Sequence, residues 1–181
     1  MPSVQTYVAL LRGINVGGNN KLPMKDLAAL FDKAGCRDVR TFIQSGNVVF
    51  SAPAALAERL PVRLSAAILT AHKIQVPVLV RSAFELAKIA AKHPHPGPEP
   101  KFMHVGFLAQ RPTTAQVASL DPQRSPQDIF TVMGSEIYIR YGDQGSGKSK
   151  LTNQYIDSRL GTISTLRNWN TVQTLAEMSK G

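Results

Sequence analysis

From Tyr7 to Leu11 the chain offers water no polar side: Tyr7, Ala9 and Leu11 form one alternating set, Val8 and Leu10 the other, and both are apolar. Successive strand residues point to opposite faces, so a strand from Tyr7 to Arg12 has to be covered on both. It runs straight into a glycine-rich cationic turn, Arg12-Gly-Ile-Asn-Val-Gly-Gly-Asn-Asn-Lys21. Gly13, Gly17 and Gly18 can take positive φ and bring main-chain N–H groups close to a ligand, with Arg12 and Lys21 adding positive charge. An anion suits such a turn. The plainer alternative is a strand-to-helix connection in which Gly and Asn serve turn geometry alone.

Composition narrows the classes. A chain of 181 residues with 43% hydrophobic content can bury a core as one large domain or two small ones. No run of roughly 18 apolar residues is present, and the start, Met-Pro-Ser-Val-Gln-Thr, has neither a basic nor an apolar leader region, so membrane insertion and secretion are not expected. The single cysteine, Cys36, excludes an intramolecular disulfide and points to the reducing cytoplasm. The net charge is +9, with +7 in residues 1–95 and +2 in residues 96–181, which favours polyanions, acidic surfaces or phosphorylated small molecules as partners.

Taken in order, the turn is followed by a helix with Pro23 at its start, Met24, Leu27, Leu30, Phe31 and Ala34 at helical spacing, and Gly35 as its stop. Strand 39–43, turn Gln44-Ser-Gly-Asn47 and strand 48–50 form a hairpin, and Cys36 before it reads as a small buried thiol. Residues 54–71 are helical, and Pro61 is expected to kink that helix or begin a second piece. Strand 74–80 contains Pro77, which puts it at a sheet edge, and Ser82-Ala-Phe-Glu85 is a capping box opening a helix to Lys92. The order β-α-β-β-α-β fits a ferredoxin-like sheet of strand order 4-1-3-2.

His93-Pro-His-Pro-Gly-Pro-Glu-Pro100 reads as a stiff linker dividing a first half, 1–92, from a second, 101–181. Its two histidines lack the companions a metal site needs, and no metal or cofactor is expected. The element order then repeats: strand 102–109, helix 114–120, strand 129–133, turn Gly134-Ser135, strand 137–141, helix 149–160, an extended stretch 162–165 and a last helix 171–179. The expected class is α+β, with two ferredoxin-like halves, mixed or antiparallel sheets, and helices on one face.

Four motifs in order, Leu10-Leu-Arg-Gly-Ile-Asn-Val-Gly-Gly18, Gln44-Ser-Gly-Asn-Val48, Ser149-Lys150-Leu-Thr152 and Thr165-Leu-Arg-Asn-Trp-Asn-Thr-Val172, together resemble a bacterial domain-of-unknown-function family, number 1697. The resemblance spans nearly the whole chain. It implies the two-part fold and no established activity.

Gly142-Asp-Gln-Gly-Ser-Gly-Lys-Ser149 matches the phosphate-binding pattern G-x-x-x-x-G-K-S between an expected strand and an expected helix. Nucleoside triphosphate hydrolysis is nevertheless not expected, because no later apolar strand ends in a magnesium-binding aspartate and the strand before the motif alternates as in an antiparallel sheet. Anion binding without hydrolysis, helped by Lys148, Ser149 and Lys150 at a helix start, stays open. In Arg167-Asn-Trp-Asn-Thr171, Asn168 or Asn170 is the expected helix cap, Trp169 a core residue and Arg167 the preferred cation of the second half. The topology sets the Gly13–Gly18 loop against Ser45 and Asn47 at one sheet end, and the Gly145–Ser149 loop beside Arg167–Thr171 in the second half.

The expected site is one cleft between the halves for a compact phosphorylated ligand, lined by Arg12, Asn15, Ser45, Asn47, Lys148, Ser149 and Arg167, with Gly13, Gly17, Gly18, Lys150 and Asn168 alongside. Nucleic-acid backbone binding and an enzyme of unrecognised chemistry are the alternatives. A base-stacking platform is not expected, since Tyr7 and Phe50 on the central strands have apolar neighbours on both faces.

Overall fold

In the computed structural model, which describes residues 3–181, the doubly apolar strand lies inside a four-stranded sheet. Met1 and Pro2, where the leader reading begins, lie outside the described residues. The chain divides into two compact units, Met1–Lys88 with Leu175–Gly181, and Ile89–Thr174.

In the first unit, strand β1 (Val4–Leu11) is followed by helix α1 (Met24–Lys33), strands β2 (Arg37–Phe42) and β3 (Asn47–Pro53), helix α2 (Ala54–His72), strand β4 (Val78–Ser82) and helix α3 (Ala83–Ala91). The sheet order is β2-β3-β1-β4, all antiparallel, which is the 4-1-3-2 order expected. Tyr7, Ala9 and Leu11 face Leu27 and Phe31 of α1 and Leu60, Leu64 and Ile68 of α2 in one core. Each large side chain buried there contributes about 1.5–3 kcal/mol. Val8, Leu10 and Val49 on the other face are buried too, so both faces are covered as the apolar pattern demands.

Two boundaries differ from expectation. Strand β4 begins only at Val78, and Pro77 stands just ahead of it with its carbonyl accepting from the Arg12 amide at 3.1 Å. The edge assignment holds, but the proline is excluded from the ladder. Helix α2 runs through Pro61 without a break, because Leu60 and Leu64 on either side are anchored in the core. The capping box of α3 is present: the Ser82 amide donates to Glu85 Oε2 at 2.8 Å, and the Glu85 amide to Ser82 Oγ at 3.2 Å.

The second unit repeats the plan with β5 (Met103–Leu108), α4 (Thr114–Ala118), β6 (Ile129–Met133), β7 (Glu136–Arg140), α5 (Asn153–Leu160), β8 (Ser164–Asn168) and α6 (Trp169–Met178), whose last four residues belong to the first unit. Its sheet order is β6-β7-β5-β8, again antiparallel throughout. Leu108, Ile137, Ile139, Ile156 and Leu160 form its core. Gly106 is required in mid-strand, since a Cβ there would lie 2.5 Å from Ile137 Cγ2. The chain is thus an α+β protein of two antiparallel sheets with helices. The proline-rich segment belongs to the second unit and is held there: His93 is buried, and the His95 ring meets Thr131 Oγ1 at 2.8 Å. Among the described residues no helix is long and apolar enough to cross a membrane.

Candidate functional site

At the C-terminal end of β1 the glycine-rich loop folds on its own hydrogen bonds. Asn15 takes the left-handed conformation at φ 54°, its amide nitrogen donating to the carbonyls of Leu22 (2.9 Å) and Gln44 (2.8 Å) while its oxygen accepts from the Leu22 amide (2.8 Å). Asn20, at φ 49°, ties back to the Gly13 carbonyl. Val16 and Asn19 pair across Gly17 and Gly18, whose φ values of 57° and 79° make the mirror-image hairpin turn that glycine favours. The loop meets the Gln44–Asn47 turn as expected, Leu11 donating to the Gly46 carbonyl at 2.8 Å. The side chains there are committed to the turn, however: Asn47 is fully buried and donates to the Phe42 carbonyl and to Ser45 Oγ. Arg12 is half-buried and Lys21 exposed. Cys36, at the exit of α1, is buried, and burial pushes its thiol up to about 11, far from the range of a nucleophile.

In the second unit the ends of β7 and β8 meet the start of β5, Arg140 pairing with Met103 and Asn168 with His104, so the two second-half segments do share one end. A cavity of about 280 Å³ opens there, lined by Ser125, Asp128, Gly142, Gly145, Lys148 and Ser149. Asp128 is buried; its Oδ1 accepts from the Gly142 amide at 2.9 Å and its Oδ2 from Ser149 Oγ at 2.5 Å. Ser149 Oγ in turn accepts from the Leu151 amide at 2.9 Å. This clasp shapes the loop unlike the strand–loop–helix expected of the pattern: Ser146–Lys148 form one 3₁₀ turn, and α5 begins only at Asn153, where Thr152 Oγ1 accepts from the Tyr155 amide at 3.2 Å. The helix expected from Ser149 starts four residues late because the serine side chain is held by Asp128 and leaves the capping to Thr152. Lys148 and Lys150 stay exposed, and the amides of Ser146 and Gly147 donate to nothing among the described residues.

Arg167 is in a different place from that expected. Strand β8 continues through Asn168, and alternation turns Thr165 and Arg167 away from the Leu166 side, so Arg167 is a buried strand residue and not a loop cation. Its Nη1 donates to Thr165 Oγ1 (2.8 Å) and to the Leu166 carbonyl (3.0 Å), and burial lowers its pKa to about 10. Asn168 caps α6, accepting from the Thr171 amide at 2.9 Å, and Trp169 is buried edge-on to His93 with centroids 5.2 Å apart. No group of three or more metal-ligating side chains gathers among the described residues.

A second cavity of about 540 Å³ adjoins the first, bounded by Glu99, Phe102, Gln127, Arg140, Tyr141 and Asp143. Gln127 and Gly142 line both. Sequence reading missed this neighbour and missed Asp128, whose only signal was a lone acid immediately before an apolar strand.

No curated protein matches the chain. Among solved structures it is similar to the conserved bacterial protein SP0830 of Streptococcus pneumoniae, with 22% identity and a TM-score of 0.71 over 98% of this chain and 100% of that one, which shows the shared fold. The family described as "Protein of unknown function (DUF1697)" matches residues 4–138, a span that holds the Arg12–Lys21 loop, the Gln44–Asn47 turn and the sheet through Tyr138, and the chain belongs to that family.

Proposed function

We propose that the protein binds a compact phosphorylated small molecule, with the phosphate in the cavity beside Lys148. The observation that carries this reading is the meeting, in one cavity, of the exposed Lys148 ammonium with the Ser125 hydroxyl and the Gln127 and Gln144 side-chain amides, donors that phosphate oxygens accept from. The Asp128 carboxylate opposes an anion, but its oxygens are turned onto Gly142 and Ser149. At about 280 Å³ the cavity is below the usual pocket range of roughly 300–1,000 Å³, which favours a small headgroup over an extended polymer.

A thermal-shift series with inorganic phosphate, glycerol 3-phosphate and ribose 5-phosphate at about 50 and 200 mM salt tests it. A ligand at 100 times its dissociation constant adds about 2.7 kcal/mol, or roughly 5–10 °C for a chain of this length. Lys148→Ala is expected to abolish that shift while leaving the Tm of the free protein unchanged. Failure of all three phosphates to shift the melt would overturn the reading.

The net charge of +9 supports a second reading, contact with a nucleic-acid backbone, for which short RNA would shift the melt only at low salt. We read the halves as ferredoxin-like on their strand orders, and assign the protein to the cytoplasm on its single, buried cysteine.

A further inference from the structure

We infer that the phosphorylated ligand is a nucleoside monophosphate, with its phosphate beside Lys148 and its base in the adjoining cavity between Phe102, Gln127 and Asp143; this rests on the reading of the first cavity given above. The first cavity, about 280 Å³, is small for a whole ligand, while its neighbour, about 540 Å³, lies well within the usual range, so a ligand with a compact charged part and a larger second part uses both. Their linings differ in kind. The second cavity sets the aromatic sides of Phe102 and Tyr141 beside an amide, a guanidinium and carboxylates. A planar heteroaromatic ring with donors and acceptors on its edge matches that mixture: the half-buried Phe102 ring takes its face, Gln127 offers both a donor and an acceptor, and Asp143 accepts from an exocyclic amino group.

Charge sets the limit at one phosphate group. Asp143 and Glu99, the latter paired with Lys101 at 2.7 Å, line the second cavity, so a further phosphate there would face carboxylates, while Arg140 already donates to the Pro96 carbonyl at 3.1 Å. The boundary between the cavities is low by necessity. A Cβ on Gly142 would stand 2.6 Å from Gln127 Cβ and 3.2 Å from the Gln127 carbonyl oxygen, so no side chain can rise from Gly142, and the exposed Gln127 lies at the boundary, lining both cavities. Asp128 uses one lone pair on each oxygen for Gly142 and Ser149, which leaves capacity for sugar hydroxyl donors on the cavity side.

Isothermal titration of the full chain with the four ribonucleoside 5′-monophosphates, ribose 5-phosphate and inorganic phosphate tests the inference. At least one monophosphate is expected to bind about tenfold or more tighter than ribose 5-phosphate, the size of effect one stacked base supplies. Asp143→Ala and Phe102→Ala should each cut that preference and leave ribose 5-phosphate binding within about twofold; Asp143 is exposed, so its variant keeps the test valid should the Phe102 change unfold the protein. If ribose 5-phosphate binds as tightly as every monophosphate, the base site is refuted while the phosphate reading stands. If none of the phosphates binds, the phosphate reading itself fails and the base site falls with it.

Discussion

Gly46 sits where any side chain collides. Its φ is +83°, and a Cβ would lie 2.7 Å from Leu11 Cβ and 2.8 Å from Ile14 Cδ1, both belonging to fully buried residues. Left-handed strain and overpacking add, so Gly46→Ala should destabilise by about 2–4 kcal/mol. Gly17 has a similar φ of +57° but open space around it, and Gly17→Ala should cost only about 1 kcal/mol. Urea unfolding midpoints at constant m-value distinguish the two. Both glycines looked alike in the sequence, because a sequence records the need for positive φ but not what stands opposite the missing Cβ. For the same reason Lys148 and Ser149 were legible from their spacing, whereas Asp128, 21 residues earlier, was not; only the fold brings its carboxylate to the Ser149 hydroxyl. His104 carries a further consequence. Its Nδ1 is buried with no hydrogen-bond partner among the described residues, and burial lowers its pKa from 6.5 to about 4. The folded state therefore holds fewer protons than the unfolded chain between those values: the stabilisation is complete above about pH 6.5 and is lost as pH falls toward 4, by up to about 3 kcal/mol. Unfolding free energies of wild type and His104→Leu across pH 7 to 4 check this, the variant giving the shallower slope while His93 and His95, whose pKa values burial also lowers, keep part of it.

At the scale of elements, periodicity and punctuation carried most of the reading. The hairpin at Gln44–Asn47, the Gly35 stop and the Ser82/Glu85 box all stand where local chemistry puts them. What local chemistry did not reveal was set by partners distant in the chain. Asp128 holds Ser149 and delays α5 to Asn153; pairing with β5 extends β8 through Arg167 and Asn168. Pro61 is the opposite case, a strong local signal overruled. An interior proline forfeits a main-chain hydrogen bond, here to the turn that holds Ala57, and α2 tolerates the loss because Leu60, Leu64 and Ile68 are buried together. Pro61→Ala should return that bond and raise stability by about 1–2 kcal/mol after the unfolded chain's gain in freedom is subtracted, measurable as a rise in Tm.

For the whole molecule, charge and topology speak separately. The excess of positive charge in residues 1–95 was plain from composition, and the doubled β-α-β-β-α-β order was plain from patterning, yet the division of the chain was not: residues 175–181 belong to the first unit, where Arg40 Nη2 donates to the Met178 carbonyl at 2.7 Å. Removing those seven residues should therefore lower the unfolding transition of the first unit while the pocket-bearing second unit keeps its own, a separation that amide hydrogen exchange resolves residue by residue. The same discontinuity governs the order in which the molecule can be finished on the ribosome. Residues 1–88 emerge first and can pair their four strands, but the segment that completes their unit follows the entire second unit, 86 residues and several seconds later at roughly 5–20 residues per second. During that interval the first unit waits without its final segment.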